Sequence, residues 1–208
     1  MTQKSAKYFS SAESTLNPII YCDMDGVLVD FHGGLLNYLN SRLNIFDSLD
    51  NTEKYYIISA LKSLNRNQFI KQDMHMHSTT RNMIKLVRYL TCNNIMFWKN
   101  LSWTKYGVKL YQFIKNHNYK FLTHATSKES QIGKIDWLIS NFNMTKRKAK
   151  SLTIFEKNKY RYASSSAILI DDTPENVIKF QSHGGLAILH LNIKQTIRDL
   201  EYLLRYLG

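Results

Sequence analysis

Short apolar runs alternate with longer segments of helical periodicity along this chain of 208 residues. Each run has four or five residues and leads into polar positions, which predicts a buried β-strand. The predicted strands are residues 19–22, 119–122, 151–154, 166–170 and 185–189. Apolar residues spaced three or four positions apart predict helices between them, most clearly over residues 104–117, 127–141 and 193–206.

This alternation of strands and helices predicts the fold class, an α/β three-layer sandwich with a parallel, Rossmann-like sheet. Residues 32–64 and 80–90 show helical spacing with no strand between them, so we expect a small helical cap inserted after the first strand. We expect the first cap helix to follow a break at Gly33 and Gly34. The predicted organisation is a flexible polar tail, an α/β core in two pieces and the cap: residues 1–17, residues 18–31 with 97–208, and residues 32–96.

Composition is that of an ordinary folded domain, with 44% hydrophobic residues. Two cysteines, Cys22 and Cys92, cannot form a disulfide framework, which favours a reduced, cytoplasmic setting. Residues 1–17 lack the apolar run of a signal peptide, and no segment approaches the length of a membrane span.

The formal charge of +12 changes this picture, because it favours an anionic substrate or partner. Basic residues are densest over residues 145–161, where Glu156 is the only acid. The seven cations are Lys146, Arg147, Lys148, Lys150, Lys157, Lys159 and Arg161. They form either a solvated charged face or a track for a phosphate backbone, and no recognisable nucleic-acid motif accompanies them.

Two pairs of acids follow predicted strands. Asp23 and Asp25 come directly after the first strand, and Asp171 and Asp172 come after the fourth. The carboxyl ends of parallel strands meet at one edge of a sheet, which is where open α/β sheets bind ligands. Carboxylates there either hold a hard cation or serve as nucleophile and acid/base, although Asp is also common in ordinary turns. Two such pairs favour a magnesium site.

These segments resemble known motifs. Residues 23–28 (DMDGVL) look like the first motif of the haloacid dehalogenase-like (HAD) phosphohydrolases, and Asp171 and Asp172 with Asn176 look like the fourth. The resemblance covers residues 18–190 and is closest to the 5'(3')-deoxyribonucleotidase-like group, including phage and bacterial members. Residues 97–101 (FWKNL) and 121–123 (FLT) support it.

The resemblance implies a magnesium-dependent phosphomonoesterase that removes phosphate from (deoxy)nucleoside monophosphates. Asp23 would be the nucleophile that forms an aspartyl phosphate, and Asp25 the general acid and base. Asp23, the backbone carbonyl of Asp25 and Asp171 would hold Mg²⁺, with Asp172 orienting the site. The cap would close over the substrate and exclude water.

The other site residues follow from the same resemblance. Thr123 and Lys159 would hold the phosphoryl oxygens, with Lys157 and Lys134 as rival lysines. The binding candidates also include His124, beside the leaving group, and the aromatic pair Phe97 and Trp98. The pair would either stack on a base or form a hydrophobic hinge. Thr173 departs from the group, whose members often have Arg there.

Two other functions stay open. The high positive charge favours a phosphatase acting on the 3' or 5' ends of polynucleotides. A non-enzymatic protein that binds a nucleotide or nucleic acid on the same fold is the third hypothesis, because a fold does not guarantee an activity.

Overall fold

The computed structural model describes residues 17–43, 46–48, 51, 54 and 91–208. These include short 3-10 helices at Phe46–Ser48 and Lys159–Tyr162. In chain order, the main elements are β1 (Ile19–Cys22), α1 (Phe31–Leu43), α2 (Ile95–Lys99), α3 (Gly107–Ile114), β2 (Tyr119–Thr123), α4 (Lys128–Phe142), α5 (Lys146–Leu152), β3 (Thr153–Phe155), β4 (Ala167–Asp171), α6 (Pro174–Ser182), β5 (Leu186–Leu189) and α7 (Ile193–Leu207).

The five strands form one parallel sheet in the order β3-β2-β1-β4-β5, so the predicted α/β class and parallel sheet are confirmed. The register pairs Cys22 with Phe121 of β2 on one side and with Ile170 of β4 on the other. The carboxyl ends of β1, β2 and β4 therefore lie level with one another. The polar residues that follow them meet at this carboxyl edge.

Side chains alternate between the two faces of the sheet, as the period of an extended chain requires. Ile20, Cys22 and Ile170 pack on one face with α2, α3, α4 and α7, whereas Tyr21 and Leu169 pack on the other against Phe180 of α6. Both faces are covered, which explains why the strands read as continuous apolar runs.

Helix starts carry the expected capping residues. The hydroxyl of Ser127 accepts a hydrogen bond from the Ser130 backbone N–H at 3.0 Å and completes a capping box for α4. Pro174 occupies the first turn of α6, where its missing N–H is not needed. Among the described residues, no helix is both long and apolar enough to cross a membrane.

Two local predictions were wrong. The first cap helix does not start after Gly33 and Gly34. Instead, α1 begins at Phe31 and contains both glycines. Asp30 caps it, since its Oδ1 accepts from the Gly33 backbone N–H at 2.9 Å. The predicted strand 151–154 is also displaced, because Ser151 and Leu152 end α5 and the strand starts at Thr153. Most of the predicted cap, from residue 55 to residue 90, lies outside the described residues.

Candidate active site

The centre of the candidate site is a pair of carboxylates, those of Asp23 and Asp171, at the carboxyl ends of neighbouring strands. The Asp23 backbone N–H donates to the Ile170 carbonyl at 2.9 Å, which joins the two strand ends directly. Both side chains are buried, with 6% and 0% of their residue surface exposed. Two anions held this close in a buried place require a cation.

Lys159 supplies that cation from the 3-10 helix between β3 and β4. Its Nζ lies 2.8 Å from Asp23 Oδ2 and 2.5 Å from Asp171 Oδ2. Burial alone would lower the pKa of Lys159, but the charges of Asp23 and Asp171 raise it above its usual value. Lys159 is therefore a permanent positive charge between the two carboxylates.

Asp171 is further fixed from α6. The Asn176 side-chain amide donates to both carboxylate oxygens, at 3.0 and 3.1 Å, and the Thr173 backbone N–H donates to Oδ1 at 2.9 Å. These bonds hold the carboxylate in one orientation. Burial and the charge of Asp23 nevertheless raise the pKa of Asp171.

Asp172 is the outer member of the cluster and approaches the turn after β1. Gly26 has φ = 75°, and a Cβ built on it would lie 2.0 Å from Asp172 Oδ2. Only glycine fits here, because the turn needs a left-handed residue and the carboxylate needs the space. Asp172 is exposed as a residue, but partial loss of hydration of its carboxyl, together with the charges of Asp23 and Asp171, raises its pKa to about 7.

Asp25 does not share this cation and faces a second lysine. Lys134 of α4 donates to Asp25 Oδ2 at 2.6 Å, to the Thr123 hydroxyl at 2.8 Å and to the His124 carbonyl at 2.9 Å. Only 2% of the Lys134 surface is exposed. All three donor positions of its ammonium are thus satisfied, and Asp25 is held toward the end of β2.

Close helix packing brings Lys134 to this position. A Cβ on the neighbouring Gly133 would lie 2.5 Å from Trp98 Cβ, so α4 and α2 approach each other almost backbone to backbone. The Lys134 Nζ lies 5.2 Å from the centre of the Trp98 ring, within cation–π range.

The turn that carries Asp25 is held by both local and distant bonds. The Leu28 and Val29 backbone N–H groups donate to the Met24 carbonyl at 2.9 and 2.8 Å. The Thr104 hydroxyl donates to the Val27 carbonyl at 2.8 Å. Burial raises the pKa of the Asp25 carboxyl, and the charge of Lys134 only partly offsets this. Within the described part of the chain, Asp25 Oδ1 is buried and has no hydrogen-bond partner.

Three of the carboxylates fit a hard divalent cation. Asp23, Asp171 and Asp172 each offer an oxygen, and these oxygens lie within 4.8 Å of one another. Oxygen donors of this kind suit Mg²⁺ rather than a thiophilic or imidazole-binding metal. The side chain of Asp25 is not in this group.

The aromatic pair predicted to bind a base lies in the core. Phe97 and Trp98 are 8% and 3% exposed, and the Trp98 indole donates to the Thr91 carbonyl at 2.9 Å. Phe31 stacks on Trp98 with ring centres 5.3 Å apart. This packing leaves little ring surface for a base. His124 is half-buried and contributes its carbonyl to Lys134.

The structure brings both Lys159 and its rival Lys134 to the carboxylates and leaves Lys157 exposed. The sequence did not indicate that two lysines are used, Lys159 for Asp23 and Asp171 and Lys134 for Asp25. A signal was available, because Lys134 stands between Ser130 and Leu138 at four-residue spacing and both neighbours are buried. A lysine on the inner stripe of a helix needs a buried partner.

No protein-family model matches this chain, and no curated protein matches its sequence. Several solved structures are similar in fold. A hydrolase from Streptococcus pneumoniae TIGR4 is 12% identical with a TM-score of 0.47, covering 89% of this chain and 99% of that one. CbbY from Rhodobacter sphaeroides, in complex with phosphate, is 13% identical with a TM-score of 0.43, covering 82% and 84%. A HAD hydrolase of family IA, variant 3, from Entamoeba histolytica HM-1:IMSS is 11% identical with a TM-score of 0.40, covering 87% and 88%. Similarity this remote carries no argument about activity, which has to come from the side chains.

Proposed function

We propose that this protein is a magnesium-dependent phosphomonoesterase of the haloacid dehalogenase-like type, acting on (deoxy)nucleoside monophosphates through an aspartyl phosphate. One observation carries the proposal: four acids from two distant segments, with two buried lysines, meet at the carboxyl edge of a parallel sheet. A cluster with this many buried charges is costly for a fold and is typical of a catalytic site.

Asp23 is the proposed nucleophile. Its Oδ1 accepts from the Met24 backbone N–H at 2.8 Å and its Oδ2 faces Lys159, so the carboxylate is fixed in one rotamer. Attack by one of its oxygens forms a bond to phosphorus while the bond from phosphorus to the leaving oxygen breaks. Lys159 and Thr123 bind the non-bridging oxygens as charge develops on them.

Asp25 is the proposed acid and base. The pKa of its carboxyl is raised, which favours the protonated form that gives its proton to the leaving oxygen. The same carboxylate then takes a proton from the water that hydrolyses the aspartyl phosphate and regenerates Asp23. Asp25 Oδ1, which is free of protein donors among the described residues, is the oxygen we assign to this transfer.

Asp23, Asp171, Asp172 and the Asp25 backbone carbonyl would hold Mg²⁺. When bound, it supplies positive charge between the carboxylates and the phosphoryl oxygens. The nucleotide part of the proposal rests on the resemblance of residues 18–190 to the deoxyribonucleotidase-like group. The overall charge of +12 favours an anionic substrate in general.

Phosphate release tests the reaction. Purified protein should release phosphate from deoxynucleoside monophosphates with Mg²⁺ and lose this activity in EDTA. Asp23→Asn should abolish turnover while keeping the fold, because the amide cannot attack phosphorus. The matched control is Asp199→Asn on α7, where the carboxylate accepts hydrogen bonds from Arg198 and Gln195 of the same helix. Equal activity of Asp23→Asn and wild type would disprove the mechanism.

The second candidate, a phosphatase acting on polynucleotide ends, is favoured by the exposed cations of α5. Rates on a 3'-phosphorylated or 5'-phosphorylated oligonucleotide should be compared with rates on the mononucleotide at equal phosphate concentration. Much faster release from the oligonucleotide would select this candidate over the mononucleotidase.

A further inference from the structure

Helix α5 carries four cations that play no part in the proposed reaction. Its sequence is KRKAKSL, and it has no acid in its first turn. Lys146, Arg147, Lys148 and Lys150 are all exposed, whereas Ala149 is fully buried against the sheet. We refer to these four exposed side chains as the α5 cationic face.

Most of these charges are unfavourable for the helix that carries them. Three of them occupy the first turn, where the partial positive charge of a helix N-terminus disfavours cations. Lys146 and Lys150 also form a like-charged pair at four-residue spacing, which destabilises helices. Of the four charges, only Lys150, in the last turn, is placed favourably for the helix dipole.

Some exposed cations in the described regions have acidic partners. Lys179 pairs with Glu175 at 2.7 Å and Arg198 with Asp199 at 3.0 Å. No ion pair within the described ranges involves the α5 cationic face. Its charges are available to an external anion.

The α5 cationic face is also remote from the carboxylates. Helix α4 begins just after β2 at the carboxyl edge of the sheet, and α5 follows its far end and leads directly into the start of β3. The α5 cationic face therefore lies toward the amino edge of the sheet. Exposed Lys115 and His117 precede β2 at that same edge. A ligand bound there does not compete with a phosphate monoester at Asp23.

From these observations we infer that the α5 cationic face binds the phosphate backbone of a nucleic acid. The flanking exposed residues Asn143, Thr145 and Ser151 are hydrogen-bonding types that commonly contact phosphate. Seven residues of helix span roughly 10 Å, which matches about three successive phosphates of one strand. An anionic membrane fits less well, because the apolar residues of α5 face inward and none is left to insert.

The test uses the full chain and a fluorescent single-stranded 20-mer with hydroxyl groups at both ends. Such a probe has no monoester for the carboxylate site, so its binding is independent of the proposed phosphatase. The variant replaces Lys146, Arg147, Lys148 and Lys150 with Gln. The control replaces Lys105, Lys109, Lys194 and Arg205 with Gln, which removes the same charge from exposed positions on other elements.

We expect fluorescence anisotropy to show wild-type binding and a loss of about tenfold or more in the α5 variant at 0.1 M salt. The slope of log K against log salt should fall by about 2, since each phosphate contact contributes roughly 0.7 on a single strand. The control variant should keep most of the wild-type affinity. The melting temperature and the turnover of p-nitrophenyl phosphate should not fall in the α5 variant. This would show that its loss of binding is not caused by unfolding.

Three outcomes would overturn the inference. The first is failure of the wild-type protein to bind the 20-mer at low salt. The second is equal weakening of binding in the two variants, which would mean that total charge alone attracts the probe. The third is competition by polyglutamate of equal charge that is as strong as competition by unlabelled 20-mer, which would mark the surface as a site for an acidic protein segment.

Discussion

Lysines at the two edges of the sheet have opposite surroundings. At the carboxyl edge, Lys134 and Lys159 are 2% and 4% exposed, and each contacts at least one carboxylate within 2.8 Å. On α5, toward the amino edge, four cations are exposed with no ion pair among the described residues. The same residue type thus serves two purposes, and the surroundings decide which.

This difference shows how buried and exposed charges indicate function in different ways. A buried lysine is kept only if an anion compensates its lost hydration, so its partner identifies the site. An exposed lysine needs no partner, because water hydrates its charge. Its function is inferred instead from the like charges that lie close to it. Removing charge should therefore destabilise the protein at the carboxyl edge and not on α5.

The largest effect is expected for Lys159→Met. It leaves Asp23 and Asp171 buried beside each other without a cation, and breaking a buried pair in this way costs about 3–5 kcal/mol. Urea denaturation in EDTA measures the loss. Lys157→Met is the control, since this lysine is exposed two positions away and should change stability by no more than about 0.5 kcal/mol. Equal stability of the two variants would refute the pairing.

Lys134→Met should cost less, about 1.5–3 kcal/mol, because Asp25 keeps 28% of its side-chain surface in contact with solvent. It should also affect catalysis selectively. If Lys134 holds Asp25 for proton transfer, turnover of a nucleoside monophosphate should fall much more than turnover of p-nitrophenyl phosphate, whose leaving group needs no proton. A uniform decrease on both substrates would contradict that positioning role.

The third effect concerns pH and Mg²⁺. Folding raises the pKa of Asp172 to about 7, so the folded state binds more protons than the unfolded chain between about pH 4 and 7. In EDTA, this group should therefore lower the free energy of unfolding as the pH rises through that range. Mg²⁺ at ten times its Kd adds about 1.4 kcal/mol. Its stabilisation should be larger at pH 8 than at pH 5, where protons compete for the carboxylates.

Thermal denaturation at both pH values, with Mg²⁺ and with EDTA, measures this. Asp172→Asn should flatten the pH dependence and reduce the response to Mg²⁺. Glu201→Gln, at an exposed position on α7, should change neither. A response to Mg²⁺ that is the same at both pH values would show that the metal does not bind at these carboxylates.

The strands could be predicted because both faces of the sheet are buried, so runs such as residues 19–22 and 167–170 are apolar throughout. Residues 151–154 (SLTI) alternate polar and apolar residues, and so short a run does not reveal whether it is helix or strand. In the structure Leu152 is the last residue of a helix. The start of α1 was mispredicted at its two glycines. The residue that caps the helix, Asp30, is polar and is not part of the apolar pattern from which the helix was predicted.

For the candidate site, the sequence indicated which acids meet, because β1 and β4 both end in carboxylates and parallel strands share an edge. It did not indicate that Asp23 and Asp25 use separate lysines. That division depends on the close approach of α4 to α2 at Gly133, a contact between residues far apart in the chain. The placement of Phe97 and Trp98 in the core was likewise undetermined, because an aromatic pair suits a hinge and a ligand equally well.

The smallest effect tests the other side of the comparison. Lys146→Glu exchanges a cation for an anion in the first turn of α5, and should stabilise the protein by about 0.3–1 kcal/mol. Lys150→Glu makes the same charge change in the last turn, where an anion is unfavourable, so its melting temperature should lie below that of Lys146→Glu. Both should weaken binding of the 20-mer. A residue whose replacement improves the fold and impairs binding is kept for binding, whereas a loss of stability in Lys146→Glu would show that the helix itself needs this charge.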